Sequence, residues 1–291
     1  MRGDSYGGDT MVRPYNPHDA TKAILDRASE HLASVRYEVS ARWLFYRLYQ
    51  DGIYTGKGDY KHKFIPMLST ARKKFYGKWR PWTLTDETRV ITTQGDGYGD
   101  EREWLQAVSR AKCTLDHLRN QPAILAVFYE AQAMEAQFRH YLPNAAILSP
   151  FRGDPSVPAK WDLAELLAKR WREYRVPVYV CYFGDFDEKG LGIEKAAKAQ
   201  ILDWARMNED GDYHWVRGGL DESHVKRYGL PLSIEGKGYQ WEALSDAQAS
   251  EIITEATVGL VDDHRIKATQ EQERATTKRY QGRFRAAFDL G

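Results

Sequence analysis

The sequence predicts an α/β protein: a helical N-terminal domain, a parallel-sheet domain and a helical C-terminal extension. In the first 120 residues, apolar side chains recur at three- and four-residue spacing, which is typical of amphipathic helices. Further along, short apolar runs alternate with helical patterns, which is typical of parallel strands covered on both faces. A length of 291 residues is enough for about two such domains.

The helical domain is predicted at residues 19–118, after a polar, Gly- and Pro-containing tail at 1–18. Three short helices with tight turns and a basic surface resemble a winged-helix or helix-turn-helix unit. The Gly-rich segment Thr92–Glu101 is expected to be a loop, either a wing or a linker. The predicted helices begin near Ala20 and cover Val39–Gln50, Lys63–Tyr76 and Glu103–Arg119.

The sheet domain is predicted at residues 119–235, and the remainder, 236–291, is expected to be mostly helical. Its strands are predicted in AILAVFY, NAAILSP and VPVYVCYFGD, which are rich in β-branched and aromatic residues or bounded by Pro. The intervening helices are predicted over EAQAMEAQFRHYL, Trp161–Tyr174 and Gly190–Arg206.

Charge is unevenly distributed along a chain whose net charge is only +1. Residues 36–89 hold 12 basic and 5 acidic residues, a net of +7. Such a block is the footprint of a polyanion-binding module, although a solvated helical surface gives the same pattern. The candidate phosphate-contacting residues are Lys57, Lys61, Lys63, Arg72, Lys73 and Lys74.

Several classes of protein are disfavoured by the sequence. The longest apolar runs are about eight residues, whereas a bilayer span needs about 20. The N-terminus has no apolar stretch of the kind found in secretory signals. Two cysteines, Cys113 and Cys181, are too few for a disulfide framework or a four-cysteine zinc site. We therefore expect a cytoplasmic protein with no membrane partner.

Carboxylates follow two of the predicted strands. Asp185 and Asp187 come directly after VPVYVCYFG, and residues two apart on a strand point the same way. Glu130 ends the strand AILAVFY in the same manner. Ligand sites in open α/β sheets lie at the carboxyl ends of strands, so neighbouring strands would bring these three side chains together.

A divalent cation would relieve the repulsion among Glu130, Asp185 and Asp187. Oxygen-only ligands favour magnesium, with manganese as a second possibility, over zinc. The alternative is a capping role, because Asp and Glu are common where helices begin.

The motifs around these carboxylates resemble the Toprim domain. FYEAQA is similar to the strand that carries the family's glutamate, and DFDEKG to its Asp-x-Asp segment, with Glu188 where proline is usual. PFRGDPS and HWVRGGLDESHVKRYGLP also resemble segments of the A subunit of type IIB topoisomerases (topoisomerase VI) and its meiotic double-strand-break relatives. The resemblance covers about residues 20–235.

The resemblance also implies a DNA-cleaving tyrosine in the N-terminal domain. ARWLFYRL is similar to the family's tyrosine motif, which places the arginine at Arg42 and the nucleophile at Tyr46, with Phe45 in place of a preceding tyrosine. Arg42 and Tyr46 are four residues apart on a predicted helix, so a guanidinium would lie near the phenol. The alternative is that Tyr46 is an ordinary core residue of an amphipathic helix.

The resemblance implies magnesium-dependent cleavage of double-stranded DNA by a homodimer, with strand passage dependent on a separate ATPase subunit. Two other functions stay open. A Toprim nuclease would use water as the nucleophile, and a DNA-binding protein would keep the scaffold without catalysis.

Overall fold

The computed structural model describes residues 15–84, 97–131, 134–233 and 236–288. The described residues up to Leu84 form one compact unit, and those from Gly97 onward form a second. The helix that opens the second unit was predicted to close the N-terminal domain. The larger unit also includes the predicted C-terminal extension.

The first unit is helical in its described residues. Its helices are α1 (Asp19–Ala33), α2 (Ala41–Gln50), α3 (Lys57–Asp59) and α4 (Ile65–Lys73), with a π-helical turn at Tyr60–Phe64 that joins α3 to α4. Helices were predicted at the positions of α1, α2 and α4, whereas α3 and most of the π-helical turn precede the predicted start of the third helix at Lys63. The predicted wing or linker, Thr92–Glu101, lies largely outside the described residues, so the winged-helix interpretation stays a prediction.

An aromatic core holds the first unit together. Phe45 of α2 stacks on Tyr54 at 5.2 Å between ring centroids and contacts Phe64 at 5.4 Å. An ion pair adds a polar link, because Arg27 of α1 donates two hydrogen bonds to Asp51 at the end of α2, at 2.7 and 2.9 Å.

The second unit is built on a four-stranded parallel sheet in the order β2-β1-β3-β4. The α/β class and the parallel sheet are confirmed. A fourth strand, which the sequence did not indicate, closes the edge beside β3. The strands are β1 (Ile124–Tyr129), β2 (Ala146–Pro150), β3 (Val178–Phe183) and β4 (Tyr213–Gly219).

Helices cover both faces of the sheet, which is why β1 is apolar at every position. Alternate β1 residues, among them Phe128, pack with Leu167 and Ile201 of the helices on one face. The intervening residues, among them Val127, pack with Phe138 and Ile252 on the other. The helices of the second unit are α5 (Glu101–Arg110), α6 (Glu135–Tyr141), α7 (Val157–Tyr174), α8 (Glu188–Asn208), α9 (Glu222–Tyr228), α10 (Asp246–Thr257) and α11 (Asp263–Ala287).

The prediction of one helix over Glu103–Arg119 was wrong beyond Arg110. Residues 111–115 run along α11, whose side chains accept hydrogen bonds from backbone N–H groups of this segment. Cys113 N donates to Thr277 Oγ1 at 2.9 Å, and Leu115 N donates to Glu273 Oε1 at 2.8 Å. Bonds between residues more than 150 positions apart thus replace the hydrogen bonds of a continuing helix, and a local pattern cannot reveal them.

In the C-terminal region the structure describes two helices, α10 and α11, after a 3-10 turn at Trp241–Ala243. A capping box of Ser245 and Gln248 starts α10, and Asp262 caps α11. Among the described helices, none is long and apolar enough to cross a membrane.

Candidate functional site

The strand order creates a topological switch point between β1 and β3. From β1 the chain moves outward to β2 on one side, and β3 then pairs with β1 on the other. In open α/β sheets, ligands bind in the crevice at the carboxyl ends of the strands that flank such a point. Glu130 follows β1, and Asp185 and Asp187 follow β3, so all three predicted carboxylates lie at this crevice.

Glu130 continues the ladder between β1 and β3 and then turns its side chain toward the β3 end. Its backbone N–H donates to Phe183 O at 3.0 Å, and its carboxylate Oε2 accepts from Asp185 N at 3.2 Å. The carboxylate is therefore in direct contact with the backbone that carries the Asp-x-Asp segment.

Asp185 and Asp187 each accept a backbone hydrogen bond. Asp185 Oδ1 accepts from Trp241 N at 2.9 Å. Asp187 Oδ1 accepts from Gly190 N at 2.7 Å and caps α8. The capping role considered for these carboxylates thus occurs at Asp187, and a cap still leaves its second oxygen as a potential ligand.

Two glycines give the Glu130 carboxylate its space. A Cβ at Gly184 would lie 3.1 Å from Glu130 Oε2, and one at Gly190 would lie 3.2 Å from it. At Gly190 the added carbon would also lie 2.5 Å from Asp185 O, inside the contact distance of real Cβ atoms. The two glycines of GDFDEKG are thus required by the close approach of strand ends and helix.

Burial raises the pKa of the Glu130 carboxyl above its usual value. The hydrogen bond from Asp185 N opposes this shift, whereas the negative charges of Asp187 and Glu242 raise the pKa further and Lys189 lowers it. The electrostatic coupling means that Glu130, Asp187 and Glu242 share one local environment.

Glu242 is the carboxylate that the sequence analysis missed. It is buried in a 3-10 turn at Trp241–Ala243, next to the residue whose N–H binds Asp185. A backbone pairing between Phe186 and Tyr239 brings this segment to the crevice. The segment GKGYQWEALS carries no local signal for that placement.

Among the described residues, Glu130, Asp185 and Asp187 do not form a closed set of metal ligands. In the described part of the chain, no three His, Cys, Asp or Glu side chains form a group that could hold a metal. Magnesium, however, commonly keeps several waters and uses one or two carboxylates together with substrate phosphates. The Tyr182 hydroxyl is fully buried next to the Gly184 position and has no hydrogen-bond partner among the described residues.

The predicted tyrosine site lies in the first unit. Tyr46 is only 6% exposed, as a core residue of α2 would be, while Arg42 one turn before it is exposed. Arg42 acts on the phenol of Tyr60: burial raises the pKa of Tyr60, and the Arg42 charge opposes that shift. Tyr60 begins the π-helical turn, and the sequence analysis did not single it out.

The predicted phosphate-contacting residues fall into two groups. Lys61, Lys73 and Lys74 are exposed. Lys63 forms an ion pair with Asp59 at 2.6 Å, and Arg72 donates to the carbonyls of Arg80, Pro81 and Leu84, which fixes the segment after α4. The Lys57 side chain lies outside the described residues.

Comparison with models of known protein families found no match, and comparisons with curated proteins and with solved structures found none either. The Toprim resemblance stays a prediction that depends on the motifs and on the crevice described above.

Replacing Gly190 with Ala should destabilise the protein although Ala is the better helix former. The new Cβ would lie 2.5 Å from Asp185 O and would push the Asp185 backbone away from Glu130. Gly192→Ala is the matched control on the same helix, because nothing lies within 4 Å of its added carbon. We expect the control to gain about 0.5–1 kcal/mol in the free energy of unfolding. Equal gains for both variants in denaturant titrations would contradict the close packing.

Glu130→Gln should change how stability depends on pH in magnesium-free buffer. The raised pKa of Glu130 means that the folded state holds its proton more tightly than the unfolded state. Stability is therefore lost as pH rises from the unfolded pKa through the folded pKa. The Gln variant should lack this loss and melt at a higher temperature than wild type at pH 7. Melting temperatures measured from pH 4 to 8 give the difference. The same pH dependence in both proteins would exclude the raised pKa of Glu130.

Proposed function

We propose that the chain is a magnesium-dependent DNA-cleaving protein. The observation that carries the proposal is that Glu130, Asp185 and Asp187 directly follow the two strands that flank the switch point. Oxygen donors around one crevice suit a cation that binds phosphates, and the Toprim resemblance supports DNA as the source of those phosphates.

Each carboxylate has a distinct part in this site. Asp187 is fixed by capping α8, Asp185 by the Trp241 N–H, and Glu130 by the Asp185 N–H. Backbone contacts of this kind hold the side chains in place before any ligand arrives, which reduces the entropic cost of binding. A bound magnesium ion would stabilise the negative charge that develops on the phosphate.

In the proposed reaction, the Tyr46 oxygen attacks the phosphorus of a DNA phosphodiester. The phenol loses its proton, a phosphotyrosyl bond forms, and the displaced deoxyribose oxygen takes up a proton. Arg42, one turn away on α2, would favour the phenolate and bind phosphate oxygens. The resemblance supports a homodimer acting on the two strands, and a separate ATPase subunit for any strand passage.

The burial of Tyr46 favours a second candidate. A side chain that is 6% exposed must move before it can reach a phosphodiester. A nuclease that uses water at the carboxylate crevice needs no such movement. In that case Tyr46 only packs the core of α2.

Asp185→Asn combined with Asp187→Asn should abolish magnesium binding and lower plasmid cleavage about 100-fold or more. Asn keeps the oxygens that accept from Trp241 N and Gly190 N, so the fold should survive. Calorimetric titration of magnesium and a supercoiled-plasmid assay are the measurements.

Glu165→Gln with Asp203→Asn removes equal charge from exposed helical positions and serves as the control. Equal magnesium affinity in the site variant and wild type would exclude the metal site. A wild type that binds DNA but never cuts it would indicate the binding-only protein.

Tyr46→Phe should abolish the protein–DNA adduct that SDS traps on plasmid ends, because a phenyl ring has no oxygen to attack phosphorus. Loss of one buried hydroxyl costs about 1 kcal/mol, so the fold should persist. Tyr60→Phe is the matched control: it removes a second phenol that senses Arg42 and should leave the adduct intact. Cleavage retained by Tyr46→Phe without any adduct would favour the nuclease. Loss of the adduct in Tyr60→Phe alone would move the nucleophile to Tyr60.

A further inference from the structure

The second half of α11 is strongly basic in a part of the chain that is acidic as a whole. From Arg274 to Phe288 there are five cations and no acidic residue, whereas residues 121–291 carry a net charge of −4. All five cationic side chains are exposed, and among the described residues none forms an ion pair with a carboxylate. The cations are Arg274, Lys278, Arg279, Arg283 and Arg285.

A groove runs beside this helix. The segment after α5 is held against α11 by Glu273, Thr277 and Gln281, whose spacing of four residues places them on one helix face. Gln281 Nε2 donates to Ala111 O at 2.9 Å, which extends the contacts at Cys113 and Leu115. This arrangement leaves an open cavity of about 730 Å³. Its cationic lining residues are Lys112, Arg274, Lys278 and Arg285.

The remaining cations frame an exposed aromatic ring. The guanidiniums of Arg279 and Arg283 lie 4.9 and 5.8 Å from the ring centroid of Tyr280, which is 54% exposed. Basic side chains interleaved with an exposed aromatic ring are typical of surfaces that bind nucleic acid, where Arg meets phosphate and rings contact sugar or base.

Stabilisation of the helix itself does not account for this charge. Cations favour a helix C-terminus, but the effect fades beyond the last turn, so it covers Arg285 and not Arg274 or Lys278. Packing against the core does not account for the positive charge either, because the buried residue of α11, Ile266, lies near the start of the helix.

We propose that the groove between α11 and the segment at Lys112 binds the phosphate backbone of double-stranded DNA. Arg274 and Arg285 are separated by 11 residues, about 16 Å along the helix axis, which is too far for one compact anion. Duplex DNA offers one negative charge per about 1.7 Å of axis and can neutralise the whole row. This surface belongs to the second unit, and its binding requires neither metal nor cleavage.

The direct test is DNA binding by the full chain in EDTA, where cleavage cannot occur. Fluorescence anisotropy with a labelled duplex of about 20 base pairs gives the dissociation constant across a salt series. The variant combines Arg274→Gln, Lys278→Gln and Arg285→Gln. Each lost phosphate contact lowers the slope of log K against log salt by about 0.9, so we expect a slope smaller by about 2–3 and a roughly tenfold or greater loss of affinity at low salt.

The matched control combines Lys169→Gln, Lys195→Gln and Lys198→Gln. It removes the same charge from exposed positions on α7 and α8 and should keep the wild-type slope. Melting curves check that both variants fold, as expected for exposed positions. Equal losses in the two variants would show that only net charge matters and would overturn the groove, as would no loss in either.

A vesicle measurement separates the proposal from its alternative. The duplex titration runs in EDTA and needs no cleavage, so failure of the proposed function leaves that test intact. Vesicles containing anionic phosphatidylserine serve as the second polyanion. Loss of vesicle binding by the α11 variant with unchanged duplex binding would overturn the assignment to DNA.

Discussion

The pairing of β1 with β3 is the contact on which the rest of the second unit depends. It places β1 inside the sheet, between β2 and β3, and puts Glu130 beside the backbone of Asp185, 55 residues away along the chain. It also creates the switch point, because β2 and β3 lie on opposite sides of β1. The same contact therefore provides the core and the candidate site, so a change that shifts the strand ends affects stability and chemistry together.

Glu130, Asp185 and Asp187 have two roles at this crevice, one in the fold and one in the candidate site. One oxygen of each accepts a backbone N–H, which satisfies the polar groups at a strand end and a helix start. Burial raises the pKa of Glu130, and the negative charges of Asp187 and Glu242 raise it further. Under the proposed function, these fixed oxygen donors would hold a cation that arrives with its own water or with a phosphate.

The basic residues of this protein are concentrated in two segments, and acidic residues elsewhere offset their charge. A net charge of +1 hides one basic block before residue 90 and a second along the end of α11. The second block escaped the sequence analysis because acidic residues elsewhere in the same half outnumber it. Only the packing of residues 111–115 against α11 turned a row of cations into one wall of a groove.

The sequence by itself determined the α/β class, three of the four strands and the place of Glu130, Asp185 and Asp187 at strand ends. It could do so because strand burial and helix amphipathicity are written in local periodicity. Tertiary structure alone decided the fourth strand, the end of α5 at Arg110, the approach of Glu242 and the burial of Tyr46. The end of α5 depends on Glu273, which accepts from Leu115 N, and the approach of Glu242 depends on Trp241, whose N–H binds Asp185. Such long-range hydrogen bonds override local preference without leaving a local pattern.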